Sequence, residues 1–118
     1  MIIDDIIDEV LMMEDLAIVY FDFLEGNETE EGLYKAMEKI CQYSFMVAAD
    51  DVVSCFYQGI QNHYTVQEML SEIFDFNGMM GYFDDEEIEE DTFNEALTHF
   101  NETKNRVNFK FNKYLTNG

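Results

Sequence analysis

Residues 2–25 contain no helix breaker, and Ile3, Ile6, Ile7, Val10, Leu11, Ala17, Phe21 and Leu24 recur along them near three-to-four spacing. Asp4, Asp5, Asp8, Glu9, Asp15, Asp22 and Glu25 fall mostly between those positions. This is the period of an amphipathic helix, apolar on one face and charged on the other. The restriction extends to the whole chain: its 118 residues include no proline and only six glycines. Little can therefore interrupt a helix. Gly26 offers a left-handed stop to the first one.

Asn27 and Glu30 have the spacing of a capping box, which predicts a second helix starting near Asn27. Leu33, Met37, Ile40, Ser44 and Val47 carry its stripe, flanked by Ala36 and Cys41. Asp50 and Asp51 are placed to cap a short third helix through Val52, Val53, Phe56 and Ile60. Thr65 and Glu68 form another capping box, opening a helix that buries Val66, Met69, Leu70, Ile73 and Phe74 and closes at Asn77-Gly78. Phe93, Leu97, Phe100, Val107, Phe111 and Tyr114 fit one long helix, with Lys104 filling a slot of the stripe. Val107–Asn112 also alternates strictly, the pattern of a half-buried strand. Helix is favoured because no partner strand is evident; Ala17–Phe23 is the best candidate, and its apolar residues do not alternate. The expected fold is mainly α, a single acidic globular domain over 1–118 built as a bundle of four or five helices. An α+β fold with a C-terminal strand near 107–112 is the alternative.

Charge bounds the function. The chain has 26 Asp or Glu against 6 Lys or Arg, a formal net charge of −20. Lys104, Arg106, Lys110 and Lys113 all follow the last acid, Glu102, so residues 1–102 set 26 acids against Lys35 and Lys39 alone. With 47% hydrophobic and 15% aromatic residues the chain has the material for a core, unlike a disordered polyanion. Such a body repels nucleic acid and anionic membrane and attracts basic surfaces, so neither direct nucleic-acid binding nor membrane association is expected. The longest apolar run, Leu16–Phe21, falls far short of a membrane span. Met1-Ile2-Ile3-Asp4-Asp5 lacks the basic residues of a signal peptide. Cys41 and Cys55 sit in apolar runs and are read as buried free thiols. The expectation is a soluble protein of the cytoplasm.

No catalytic signature accompanies this charge. His63 and His99 are the two imidazoles, and Glu95 lies one helical turn before His99. Di-iron bundles need paired Glu-x-x-His elements, which are absent, so Glu95 and His99 read as a surface pair. Asp75-Phe76-Asn77-Gly78 begins like a calcium loop and fails at Met79 and Met80, where an oxygen ligand and a glycine belong. The cysteines lack a histidine at zinc spacing. Neither a phosphate-cradling glycine loop nor a nucleophile elbow occurs. The reading assigns no catalytic residue, no metal and no cofactor, and expects a non-enzyme.

The densest feature is Asp84, Asp85, Glu86, Glu87, Glu89, Glu90 and Asp91, seven carboxylates in eight positions. Tyr82 and Phe83 beside them are candidates for a partly exposed aromatic anchor, and together these residues form the expected partner-binding site. Secondary acidic patches are Asp4, Asp5, Asp8 and Glu9; Glu28, Glu30 and Glu31; and Asp50 and Asp51. The basic segment from Lys104 to Lys113 is read as neutralising its own domain; self-association against an acidic face, giving a homodimer, is the alternative.

In length, acidity and helical pattern the chain resembles the phage-encoded acidic DNA-mimic inhibitors, anti-CRISPR and anti-restriction proteins among them. The likeness lies in overall composition without a shared motif, so no residue role is carried over. It implies a partner that is a basic nucleic-acid-binding protein such as a nuclease, whose DNA- or RNA-binding groove is occupied and whose substrate is blocked. The site of action would then be the host cytoplasm. Two further readings stay open: an immunity protein or antitoxin neutralising a cationic toxin, and a non-inhibitory acidic adaptor.

Overall fold

The computed structural model describes residues 2–42, 44, 48–83 and 87–115. In order they form α1 (Ile2–Leu24), α2 (Glu30–Cys41), α3 (Ala49–Gln61), α4 (Val66–Ile73), α5 (Phe76–Gly81), α6 (Glu90–Lys110) and α7 (Asn112–Leu115). Five of these segments have eight residues or more and make a mainly α bundle; α5 and α7 are short additions. No strand occurs among the described residues. A strand would place Val107, Phe109 and Phe111 on one face. In the helix Val107 and Phe111 lie four apart on the core side, fully buried, and Phe109 turns outward, 84% exposed.

Local chemistry sets the helix ends. At the end of α1, Gly26 takes φ 81° while its N–H donates to Phe23 O and that of Asn27 donates to Asp22 O. This is a Schellman stop, as Gly26 predicts. Asn27 therefore closes α1 and does not open α2. Thr29 caps α2 instead, its Oγ1 accepting from Gly32 N at 3.0 Å. At α4 the Thr65–Glu68 capping box forms in both directions, at 3.1 and 3.2 Å. The predicted closure at Asn77-Gly78 is displaced: α4 ends at Ile73, and Asp75 Oδ1 accepts from Gly78 N at 3.0 Å, which starts α5 there. Asp50 and Asp51 lie in the first turn of α3, where the macrodipole favours them, but the cap position is Ala48.

Cross-helix contacts set the directions. Phe56 packs on Tyr20, and Asp51 and Val52 lie beside Met12 and Met13, so α3 runs parallel to α1. Arg106 meets Glu14 and Phe111 meets Phe21, so α6 is parallel to α1 as well. Ser44, after α2, bonds Glu9 near the start of α1, and Cys55 and Glu72 pair where Gly59 meets Met69. Hence α2 and α4 run the opposite way. α1 packs most extensively on α6 and α2, and it forms the spine of the bundle. Toward the end of α1, Tyr20 and Phe111 stack 6.3 Å apart, joining α1, α3 and the end of α6. The slot expected for Lys104 belongs to Thr103: the buried stripe of α6 is Ala96, Phe100, Thr103 and Val107, and Lys104 is exposed. Cys41 is buried, whereas Cys55 is only half-buried; both are free thiols. Val47 lies outside the described residues.

Candidate partner-binding surface

The parallel course of α1, α3 and α6 aims three helix N-termini the same way; those of α1 and α6 share one end of the molecule, and that of α3 lies beside Met12, half-way along α1. Each carries acids in its first turn: Asp4 and Asp5, Asp50 and Asp51, Glu90 and Asp91. Asp8, Glu87 and Glu89 add to them, and all nine are exposed. The acids of α1 and α6, which stand apart in the sequence, are thus gathered by the topology, and each N-terminal dipole favours its own pair. Asp84, Asp85 and Glu86 lie outside the described residues.

Two bases of the last segment meet acids at and beyond the middle of α1. Arg106 Nε donates to Glu14 Oε2 at 2.6 Å, and Lys113 pairs with Glu25. The hydrogen bond from Arg106, aided by its charge and that of Lys110, holds the Glu14 carboxyl below its ordinary range despite some burial. Arg106 and Lys113 therefore neutralise Glu14 of α1 and Glu25 just after it, and not the acids at the start of α1.

Two expected site residues are corrected. Phe83 is 4% exposed and belongs to the core, because its N–H closes the turn after α5 on Met80 O at 3.0 Å. Of the expected anchor pair only Tyr82 faces solvent, 59% exposed. Glu9 is not part of a surface patch. It lies one turn after Ile6 and one before Met13 on the core stripe, 5% exposed, and accepts from Ser44 Oγ at 3.1 Å. The group Glu28, Glu30 and Glu31 sits at the opposite end from the acidic face and is engaged locally. Glu28 accepts from Thr29 N at 2.9 Å, Glu30 from the Tyr34 hydroxyl at 2.7 Å, and Glu31 pairs with Lys35 at 3.1 Å. Burial, followed by the bond to Glu30, pushes the Tyr34 phenol far up from its ordinary value.

At the middle of α1, a groove of about 220 Å3 opens between α1, α3 and α4. Met12, Met13, Leu16, Val52, Phe56 and Ile73 supply its apolar lining, and Asp51 and Glu72 its carboxylates. It exists because α1 and α3 make little direct contact, each being packed against α2 instead. Cys55 also lines it and donates weakly to Glu72 Oε2 at 4.0 Å. Burial and the Glu72 charge push the Cys55 thiol up, which makes it a poor nucleophile. Sequence reasoning missed Met12, Glu72 and this role of Asp51. One signal was present: Leu11, Met12 and Met13 are consecutive, and a single buried stripe cannot absorb three successive helical positions.

Among the described residues no cluster of three His, Cys, Asp or Glu side chains is arranged to hold a metal ion. Asp75 serves as a helix cap, and His63 as a helix stop. Among the described residues no helix is long and apolar enough to cross a membrane. Compared with protein-family models, with curated proteins and with solved structures, the chain has no significant match.

Proposed function

We propose that the protein is a nucleic-acid-mimicking inhibitor, acting in the cytoplasm, that occupies the basic DNA- or RNA-binding groove of a nuclease or related protein and blocks its substrate. One observation carries this reading: a net charge of −20 on a body 42 Å long, or about one net charge per 2 Å. Duplex DNA presents about one per 1.7 Å of axis. Most of the described carboxylates are carried on helices, so they meet a cationic groove without first being ordered. Phosphate contacts dominate nucleic-acid affinity, and carboxylates at similar density compete for the same Lys and Arg side chains without imitating bases. Anti-CRISPR and anti-restriction targets fit this mode, in which the inhibitor needs no chemistry of its own.

The test is displacement of a labelled duplex from a CRISPR effector nuclease or a restriction enzyme. Displacement that is strong at about 50 mM NaCl and falls by orders of magnitude by about 200 mM supports the reading. Replacing Asp4, Asp5, Glu90 and Asp91 by Asn or Gln should weaken it more than the same loss of charge at Glu28, Glu31, Glu38 and Glu68. Failure to displace duplex from any such target at low salt would refute the proposal.

A further inference from the structure

The groove between α1, α3 and α4 has a composition that general repulsion of anions does not explain. Its lining is apolar and methionine-rich, and its charged groups, Asp51 and Glu72, are both acids. A wholly apolar side chain would cover the floor and make no use of the two exposed carboxylates at the rim. A small hydrated cation would meet the carboxylates and leave the half-exposed Met12 and Val52 uncovered. An arginine side chain answers both demands. Its stem lies along apolar surface while its head reaches charge. Its guanidinium is planar, weakly hydrated and shaped for carboxylates, whereas an ammonium holds its water more tightly. Methionine side chains adapt their shape to such an inserted group. A second hollow of about 350 Å3 shares Asp51, Cys55 and Glu72 with the groove and adds Ser54, Gln58 and Tyr64, so the acids stand where apolar and polar space meet.

We propose that this groove is an anchoring subsite that seats an arginine side chain projecting from the cationic partner. The assignment rests on the inhibitor reading and adds to it a fixed point of attachment, since the acidic end alone attracts any basic surface. An inserted anchor sets the dwell time of a complex, while surrounding charge sets its rate of formation.

The eight methionines allow a direct test by methyl NMR on the intact protein. The probe is a blocked Gly-Arg-Gly peptide, compared with blocked Gly-Lys-Gly. The expected result is a saturable shift of the Met12 and Met13 methyl signals, with that of the buried Met37 unmoved and the lysine peptide several-fold weaker. Asp51→Asn with Glu72→Gln should reduce the apparent affinity by about tenfold, whereas Asp4→Asn with Asp5→Asn, an equal loss of charge, should change it by less than about twofold. Far-UV circular dichroism checks that both variants stay helical. Equal shifts with both peptides, or equal effects of the two double variants, would overturn the assignment and reduce the groove to part of a general anionic surface. No methyl shift in a protein that still displaces duplex DNA sinks the groove alone. Arginine binding in a protein that displaces no DNA sinks the inhibitor reading instead.

Discussion

Among the described residues His63 is the one non-glycine with positive φ, 57°. It follows α3 as the left-handed residue of a Schellman stop: its N–H donates to Ile60 O at 3.2 Å, and that of Tyr64 donates to Gly59 O at 2.9 Å. A side chain in this conformation costs about 1 kcal/mol relative to glycine. His63→Gly should therefore stabilise the fold by up to about that amount, read as a higher midpoint in urea. The same residue looked in the sequence like one of two candidate imidazoles for chemistry. Its backbone, not its ring, accounts for its position. Glu9 and Phe83 make the same point, since each sits in a strongly acidic or exposed-looking stretch and each is buried. Glu9 falls in step with Ile6 and Met13, but its charge hides this, and Ser44, which receives it, comes from another segment.

For the elements, α6 is the most instructive. Its last residues satisfy two periods at once, and burial on α1 decides between them. Phe111 fills the space between Phe21 and Tyr20, with ring centroids 4.9 and 6.3 Å away. Phe109 has no such place. Replacing Phe111 by Ala should cost about 3–5 kcal/mol, whereas Phe109→Ser should change stability by no more than about 0.5 kcal/mol. Equal losses in thermal unfolding would show that the alternating pattern governs the segment after all. The Thr65–Glu68 capping box and the Gly26 stop were legible because each involves residues within a few positions of one another. The start of α2 was misplaced by two residues because Asn27, an acceptable cap, is consumed by the end of α1.

For the whole molecule, self-repulsion dominates the electrostatics. Screening at about 0.15 M salt, where the Debye length is about 8 Å, should stabilise the fold even as it weakens capture of a basic partner. The two salt responses thus have opposite signs, which thermal unfolding and duplex displacement read separately. Acidification adds a second test. Lowering pH from 7 toward 5 should raise the unfolding temperature as the net charge begins to fall. Asp15 acts in the same sense. Burial, then the charge of Glu14, raises its carboxyl, so its favourable contribution is full below the ordinary aspartate value of about 3.9 and is lost as pH rises through the elevated one. Glu14 acts oppositely. Its depressed value makes the Arg106 pair stabilising above the ordinary glutamate value of about 4.3, and this is lost as pH falls through the folded-state value. Stability should accordingly peak in mildly acid solution and decline below about pH 4. A steady loss from pH 7 downward would mean that paired carboxylates outweigh the repulsion.

Helix content, the Gly26 stop, the Thr65 start and the acidic excess follow from the sequence alone, because each depends on composition or on residues a turn apart. The tertiary structure decided what those features add up to. Parallel packing of α1 and α6 brought two separate acidic starts to one end, and packing each of α1 and α3 on α2 opened the groove beneath Met12, with Asp51 at its side. Both outcomes depend on how helices distant along the chain bury their apolar faces against one another, and no local pattern of spacing encodes that choice.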